Sequence, residues 1–399
     1  MGKLRLLLLC GVMVFGSYAH AQISNDVVKI GVINDMDGPY SELSGKGSVI
    51  AAQMAIDELK PQFPGRIELV SAGHQLKPDV GAGIIRRWFD TENVDVAVDF
   101  VHSGIALAAQ ELAKSRNRIV IATAVGTTDF TGKACTATSA SWLYDTYALS
   151  NGLVTSMVQK KLDTWFIVAV DYAFGQSMTN DATKAVEAAG GKVVGVVRHP
   201  LNTSDFASYL VQAQASGAKV VLLASGGADL VNAIKQSKEF GLTARGQVLA
   251  TPLMFITDVR SLGLQIAQGL SFTTPFYWDR DDETREWSTR FQKLHGTPPT
   301  MVHAAIYSSV RHYLTAVKAA GTDEAGAVMK KMREIPVNDA YVKNGILRED
   351  GRLLHPMYLV EVKKPDESKY PWDFYTIKGS VAPEQAFLSA KDGGCPLAK

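Results

Sequence analysis

The stretch IGVINDMDGPYSELSGKGSVIAAQMAIDEL, residues 30–59, decides the fold of this chain. It begins within a β-branched run, residues 27–33, that is typical of a buried strand. A polar, glycine-rich loop follows over residues 34–47. Apolar residues then recur at helical spacing: Ala52, Ala55, Ile56 and Leu59. This order predicts half of a parallel βαβ unit, whose loop is either a plain connection or part of a ligand-binding edge.

The same alternation of short apolar strands and helices continues to residue 250. Strands are predicted over residues 66–71, 94–100, 118–123, 165–170, 192–197, 219–223 and 247–250. Helices are predicted over residues 78–90, 105–115, 146–161, 180–189, 206–215 and 229–240. The alternation predicts the α/β class with parallel sheets, in two successive sets of βα units that suggest two similar lobes.

The last third of the chain is less regular. It predicts an apolar, aromatic segment over residues 272–279, a hairpin over 342–351, a strand over 357–362 and helices over 284–296, 302–320 and 325–335. The tail from residue 365 is rich in Pro, Lys and Gly. We expect this segment to cross back and complete both lobes.

The N-terminus has the features of an export signal. Lys3 and Arg5 precede an apolar core over residues 6–14, and Ala19-His20-Ala21 offers a cleavage site after Ala21. The sequence therefore predicts a signal peptide over residues 1–21 and a soluble periplasmic protein.

The chain after the signal keeps two cysteines, Cys135 and Cys395. In an oxidising compartment they suggest one disulfide that ties the C-terminus to the body of the protein, and the alternative is two unpaired thiols.

Length and composition set further limits. At 399 residues the chain exceeds one ordinary core, and its net charge of +1 gives no indication of a nucleic acid partner. There is no G-x-S-x-G, H-E-x-x-H, C-x-x-C or G-x-G-x-x-G motif at the required place, and the histidines have no metal-ligand spacing. We expect no catalytic residue, no metal and no cofactor. The polar and aromatic strand exits fit the binding of a small molecule.

Several segments together carry a family resemblance: Ile30-Gly31-Val32, Gly38-Pro39, Gly45 with Ala52 and Ile56, Ser103, Gly126-Thr127-Thr128-Asp129, Asp171-Tyr172-Ala173-Phe174-Gly175, and Asp205-Phe206 before residues 219–221. The chain resembles the periplasmic solute-binding proteins of ABC transporters, and among them the branched-chain amino-acid (Leu/Ile/Val) receptor class. The similarity covers nearly the whole chain after the signal.

This resemblance implies two Rossmann-like lobes joined by three hinge crossovers that close on a ligand. We expect an N-terminal lobe of residues 22–147 plus 273–355 and a C-terminal lobe of residues 148–272 plus 356–399. It also implies a monomeric receptor, not an enzyme, that passes a small-molecule ligand to an ABC transporter membrane permease.

The resemblance assigns the ligand carboxylate to Ser103 and to Thr127 or Thr128, and an aromatic wall to Phe174. Hydroxyls and loop N–H groups at helix N-termini bind an anion without a buried counter-charge.

Amino-acid-binding members carry a carboxylate after the last central strand of the second lobe, where this chain reads Ala250-Thr251-Pro252-Leu253. Because an unpaired ammonium in a closed cleft is costly, we expect a carboxylate ligand without an α-amino group, unless Asp171 or Asp229 substitutes.

Residues 129–135, 141–147, 276–279 and 393–397 resemble a subgroup that takes up aromatic carboxylates such as benzoate, cinnamate or phenylpyruvate derivatives. Trp142 and Tyr277 are candidates for stacking on the ligand, with core packing as the alternative for both. The full set of expected ligand-binding residues is Tyr40, Leu43, Ser44, His102, Ser103, Ala124, Thr127, Thr128, Tyr147, Asp171, Phe174, Ser225, Gly226, Asp229, Thr251 and Tyr277.

Three other functions stay open at this point: a branched-chain amino-acid receptor, a ligand-sensing module of the same fold, and an enzyme. The missing catalytic motifs weigh against the enzyme.

Overall fold

A computed structural model describes residues 23–398. The predicted signal peptide and its cleavage site after Ala21 lie outside the described residues. No helix within residues 23–398 is long and apolar enough to cross a membrane.

A parallel sheet of five strands forms the centre of the first lobe. Its strands are β1 (Val27–Asn34), β2 (Arg66–Gly73), β3 (Val96–Asp99), β4 (Ile119–Ala122) and β5 (Ser139–Ser141), in the spatial order β2-β1-β3-β4-β5. The connecting helices are α1 (Gly45–Leu59), α2 (Pro78–Asp90) and α3 (Ser103–Arg116). Every residue of β3 and β4 is buried, as expected for strands that helices cover on both faces.

A second parallel sheet has four strands. These are β6 (Thr164–Val170), β7 (Lys192–His199), β8 (Val220–Ala224) and β9 (Val248–Ala250), in the order β7-β6-β8-β9. Its helices are α4 (Thr146–Gln159), α5 (Ala173–Ala188), α6 (Ala207–Ala215), α7 (Gly227–Glu239), α8 (Ile256–Leu262) and α9 (Leu264–Ala267). The two sheets confirm the predicted α/β class with parallel central sheets.

The rest of the chain adds to both lobes. Its elements are β10 (Ser271–Thr274), α10 (Asp282–His295), α11 (Met301–Ala320), α12 (Ala325–Glu334), β11 (Ile346–Leu347), β12 (Leu353–Leu354), β13 (Met357–Val362), β14 (Tyr375–Val381) and α13 (Pro383–Ala386). Strands β10, β13 and β14 form an antiparallel sheet, and β11 pairs with β12 as a hairpin.

Two elements differ from the sequence-based expectation. The tail, for which composition alone was noted, contains a strand: β14 pairs along β13, and Tyr375 packs edge-on against Phe272, with ring centroids 5.3 Å apart. Helix α5 begins at Ala173 instead of residue 180. This early start is possible because Gly175 lies against the end of β6, where a Cβ atom would stand 1.9 Å from the Val170 carbonyl oxygen.

The chain passes between the lobes three times: at residues 142–145 between β5 and α4, at residues 275–281 between β10 and α10, and at residues 355–356 between β12 and β13. The lobe division at residues 147, 272 and 355 stays a proposal.

The first and third crossovers are joined by a buried polar network. His355 Nε2 lies 2.6 Å from the Leu143 carbonyl oxygen, and the Tyr341 hydroxyl donates to the Trp142 carbonyl at 3.2 Å. The guanidinium of Arg352 pairs with the Asp145 carboxylate at 3.1 Å, and both side chains are almost fully buried. Burial lowers the pKa of Arg352 and raises the pKa of Asp145.

The expected disulfide is present: Cys135 pairs with Cys395 across a Cα–Cα distance of 5.6 Å. This distance is normal for a disulfide. The bridge ties the C-terminal tail to the segment between β4 and β5.

We predict that Arg352→Met lowers the free energy of unfolding by about 3–5 kcal/mol, because it leaves the Asp145 carboxylate buried without a counter-charge. Urea unfolding measures this. The double variant Asp145→Asn with Arg352→Met should recover part of the loss, since it removes the orphaned charge while an amide oxygen still caps α4. Lys133→Met, in an exposed ion pair, should change stability by less than about 1 kcal/mol. Equal losses in the single and double variants would contradict the prediction.

Candidate functional site

A cavity lies between the two lobes. The first lobe lines it from the loops after β1, β3 and β4, at the carboxyl ends of parallel strands, where ligands bind in such sheets. The lining residues of this lobe are Tyr40, Leu43, Val101, Ser103, Ala124 and Gly126.

The second lobe lines the cavity from the loops after β6, β8 and β9, and the first crossover adds one tyrosine. These residues are Tyr144, Tyr172, Phe174, Gly226, Leu253 and Phe255. The lining therefore holds five aromatic rings from three parts of the chain. No Asp, Glu, Lys or Arg of residues 23–398 lines the cavity.

Three helices begin at this cavity. Ser103 is the first residue of α3, while Tyr172 and Gly226 directly precede α5 and α7 and make no side-chain cap. Helix N-termini carry unpaired N–H groups and a partial positive charge. The Ser103 hydroxyl is 2% exposed and has no hydrogen bond to any residue of the described chain. The end of the cavity at Ser103 therefore favours an anion, which the serine hydroxyl and the helix N–H groups could hold without a positively charged side chain.

The two lobes are in contact across the cavity. The Tyr40 and Tyr172 hydroxyls lie 3.3 Å apart, and a Cβ atom at Gly126 would stand 2.5 Å from the Phe174 ring. Gly227 has φ +59°, and a Cβ atom there would stand 2.9 Å from the Tyr40 ring. The cleft is therefore closed, and glycine at these two positions allows the opposite rings to approach.

Six of the residues expected at the site line the cavity: Tyr40, Leu43, Ser103, Ala124, Phe174 and Gly226. The remaining ten lie elsewhere, although several are close to it. Their role in ligand binding stays a prediction.

Two of these ten lie in the first-lobe wall behind the lining. The Ser44 hydroxyl donates to the Tyr40 carbonyl at 3.1 Å. His102 caps α3 through Nδ1 and stacks on Tyr172, with ring centroids 4.4 Å apart. Burial lowers the pKa of His102 to about 4, so its ring is neutral near pH 7.

The two threonines proposed for the carboxylate make other contacts. Thr127 Oγ1 accepts from the Asp129 N–H at 3.3 Å, which leaves the Thr127 hydroxyl proton free to donate. Thr128 instead bonds to helix α5: its N–H donates to Ser177 Oγ at 3.2 Å, and its hydroxyl donates to Asp181 at 3.3 Å. Thr128 therefore joins the lobes and does not line the cavity.

The two acidic candidates are not part of the lining. Asp171 is exposed, and the Asp229 carboxylate accepts from the Asn202 N–H at 3.0 Å. Burial raises the pKa of Asp229 to about 6. Neither side chain provides a lining carboxylate for an ammonium group.

The other candidates lie behind the lining or in the core. Ser225 and Thr251 are buried, Tyr147 is half-buried, and the Tyr277 hydroxyl donates to the Trp372 carbonyl at 3.4 Å. Trp142 donates from Nε1 to Ser308 Oγ at 3.0 Å. Trp142 and Tyr277 are packed in the core and do not line the cavity, and a part for either in stacking on the ligand stays a prediction.

The sequence-based set did not include six lining residues: Val101, Gly126, Tyr144, Tyr172, Leu253 and Phe255. Tyr172 and Gly126 follow strands β6 and β4, so the strand-exit rule could have found them. No sequence pattern separates Tyr144 from the aromatic residues around it.

One buried carboxyl outside the lining supports the second-lobe wall. Asp258 Oδ2 accepts from the Phe255 N–H at 2.9 Å and caps α8. Burial raises the pKa of Asp258 to about 7. No group of three or more metal-ligating side chains occurs within residues 23–398.

Two lobes that enclose a cavity at their strand ends define a hinged ligand-binding protein. The chain belongs to the periplasmic binding protein family, whose sequence profile matches residues 27–369. It is similar to a periplasmic binding protein of Burkholderia mallei, with 42% identity, a TM-score of 0.91, and coverage of 94% of this chain and 100% of that one.

Three further proteins are similar. A branched-chain amino-acid ABC transporter periplasmic ligand-binding protein of Burkholderia xenovorans is 38% identical, with TM-score 0.82 and coverage of 93% and 99%. The Leu/Ile/Val-binding protein homolog 6 of Brucella melitensis is 26% identical, with coverage of 86% and 90%. A Rhodopseudomonas palustris solute-binding protein in complex with benzoate shares the fold, at 18% identity, TM-score 0.80 and coverage of 93% and 100%. The chain is a periplasmic solute-binding receptor of the branched-chain amino-acid ABC transporter class.

We predict that Asp258 makes stability fall as pH rises from about 4 to 7, because the folded chain keeps a proton that the unfolded chain releases near pH 3.8. Asp258→Asn cannot ionise and keeps an oxygen for the Phe255 N–H. Its stability relative to the natural protein should therefore increase by on the order of 2 kcal/mol between pH 5 and pH 8, as measured by urea unfolding. The exposed Asp366→Asn should leave the pH profile unchanged. Parallel profiles for Asp258→Asn and the natural protein would refute the assignment.

Proposed function

We propose that this receptor captures an aromatic carboxylate in the closed cleft and delivers it to an ABC permease, without catalysing a reaction. The observation that carries the proposal is the lining itself: five aromatic rings surround a cavity that holds a free serine hydroxyl at a helix N-terminus and, within residues 23–398, no charged side chain. A flat ring with one carboxylate matches both parts of this lining.

The carboxylate is assigned to the end of the cavity formed by Ser103. There the free hydroxyl and the first N–H groups of α3 can donate to an anion, and the 14-residue helix adds its dipole. Thr127 is the second candidate donor, because its hydroxyl proton is not used in the closed cleft. Thr128 is less suitable, since its hydroxyl is engaged with Asp181.

The rings of Tyr40, Tyr172 and Phe174 form the part of the cavity assigned to the aromatic ring. Tyr172 and Phe174 lie with their centroids 6.1 Å apart and their planes tilted by 32°. Aromatic pairs in offset or edge-on arrangements contribute about 0.5–1.5 kcal/mol beyond burial.

The lining also argues against a zwitterion. An α-ammonium group enclosed here would lose its water and meet no lining carboxylate, which costs several kcal/mol. The benzoate complex of the Rhodopseudomonas palustris protein shows that this fold accommodates an aromatic acid. It supports the ligand class proposed for this chain only as an analogy of fold.

An amino-acid receptor is the second candidate. It is favoured by the names of the Burkholderia xenovorans and Brucella melitensis relatives, and by Asp229, whose buried carboxylate lies in the first turn of α7 near the cleft. For Asp229 to meet a ligand ammonium group, helix α7 would have to rotate so that the Asp229 carboxylate joins the lining. A sensing role in place of transport would use the same ligand and the same closure.

We also propose how the protein is processed, how it is assembled and how it meets the permease. As a family member the protein is periplasmic; we propose that cleavage occurs after Ala21 and that the mature protein is a monomer. The closed form, in which both lobes contact the ligand, is the form proposed to dock on the permease.

A thermal-shift panel separates the two ligand classes. We predict that benzoate or phenylpyruvate raises the unfolding midpoint by several degrees, because a ligand at about 100 times its Kd stabilises by ~2.7 kcal/mol. Leucine, isoleucine and valine at equal concentration should have no effect. Stabilisation by leucine alone would favour the amino-acid receptor instead.

Calorimetry tests the carboxylate assignment. Ser103→Ala should weaken binding of the preferred acid by about 10- to 100-fold, because a hydrogen bond to a charged group contributes ~1.5–3 kcal/mol, and adding Thr127→Ala should weaken it further. Ser237→Ala is the matched control: this buried hydroxyl of α7 donates to the Ala233 carbonyl at 2.6 Å and is outside the lining. Unchanged affinity in the Ser103→Ala, Thr127→Ala double variant would show that the carboxylate lies elsewhere.

A further inference from the structure

Tyr144 differs from the other two tyrosines that line the cavity. The Tyr40 and Tyr172 hydroxyls are paired with each other at 3.3 Å. The Tyr144 side chain is 3% exposed, yet its hydroxyl has no hydrogen bond to any residue between 23 and 398. A buried polar group without a partner is costly. In a binding cavity such a group is satisfied when the ligand supplies the partner.

The position of Tyr144 is fixed from both sides. The preceding Leu143 carbonyl accepts from His355 and Arg352, at 2.6 Å and 3.4 Å. The following Asp145 is paired with Arg352 and caps α4 by accepting from the Ala148 N–H at 2.8 Å. A phenol held by such a backbone loses little entropy on binding, so its hydrogen bond discriminates between ligands.

The surroundings of the Tyr144 hydroxyl indicate that it donates a hydrogen bond to an uncharged oxygen of the ligand. Burial raises the pKa of Tyr144 well above its ordinary value, and Tyr172, Asp99 and Asp258 act in the same direction. The phenol therefore keeps its proton. Ser103 and Tyr144 both line the cavity; since the ligand carboxylate is assigned to the Ser103 end, an uncharged group of the ligand is assigned to the Tyr144 hydroxyl.

We propose that Tyr144 is a specificity-determining residue that donates a hydrogen bond to an uncharged oxygen of the ligand, so that the cleft selects hydroxy- or keto-substituted aromatic acids over their unsubstituted counterparts. This inference rests on the proposed function and deepens it. A hydroxyl on the ring and a ketone on a side chain share the required chemistry, an oxygen that accepts a hydrogen bond. Two matched pairs of acids distinguish these sources: 4-hydroxybenzoate with benzoate, and phenylpyruvate with 3-phenylpropionate.

Titration calorimetry of the mature protein and its Tyr144→Phe variant with the four acids tests the proposal. In at least one pair, Tyr144→Phe should weaken the oxygen-bearing acid by about three- to tenfold, the effect of one neutral hydrogen bond. The unsubstituted acid of that pair should change by less than about twofold. Tyr313→Phe is the matched control, since it removes another buried, unpartnered tyrosine hydroxyl, in α11 and outside the cavity. It should leave all affinities unchanged.

Other outcomes overturn the inference in distinguishable ways. Equal weakening of both acids in each pair would mean that Tyr144 contacts the carboxylate or only shapes the cavity. Unchanged affinities for all four acids would mean that the hydroxyl is unused. If the natural protein binds none of the four acids, the proposed function fails and this inference fails with it. Unfolding midpoints of the two variants, expected within about 2 °C of the natural protein, show that both are folded.

Discussion

The buried ion pair between Arg352 and Asp145 is the constraint on which the arrangement of the lobes depends. It joins the first crossover to the segment just before the third, and it lies where β5 ends and α4 begins. Ionised groups leave water only at a large cost, and good geometry offsets that cost only in part. A pair of this kind therefore fixes one relative position of the connected segments more than it adds stability. Here it holds Asp145, the neighbour of the cavity-lining Tyr144, against the segment that precedes the third crossover.

The closed cleft follows from contacts that only small residues permit. Gly126 and Gly227 give the opposite rings of Phe174 and Tyr40 room to approach, and Thr128 adds hydrogen bonds to α5. A ligand favours closure to the extent that it touches both lobes in that state. The cavity meets this condition, because Ser103 belongs to the first lobe and the rings of Tyr172, Phe174 and Phe255 belong to the second. Capture thus depends on the same geometry that excludes water and strengthens each polar contact.

Much of the fold was predictable from the sequence, because buried parallel strands are continuous apolar runs separated by turn residues. Helix α2 and strand β13 have the predicted bounds. The sequence did not reveal β14, since its residues 376–380 are mostly polar and only pairing with β13 makes them a strand. Helix α5 was predicted seven residues short because Gly175 was read as a loop residue, whereas its missing side chain permits close packing on β6.

The site was predictable to the level of strand exits and not to the level of side chains. Ser103 and Phe174, which the family resemblance placed in the site, line the cavity from two strand exits. Which residue of a strand exit faces the cavity depends on tertiary contacts. Thr128 is hydrogen-bonded to Ser177, and Tyr277 is buried in the core with its hydroxyl bonded to the Trp372 carbonyl. Tyr144 lies in a crossover held by residues more than 200 positions away in sequence, so no local pattern could have indicated its role.

The closed cleft is proposed to hold an aromatic carboxylate without an amino group. Purification under native conditions, followed by release of the retained ligand in organic solvent and accurate-mass spectrometry in both ion modes, tests this claim most directly. We predict a stoichiometric aromatic acid whose composition contains no amine nitrogen and includes an oxygen beyond the carboxylate. Recovery of leucine, isoleucine or valine at stoichiometric amounts would contradict it.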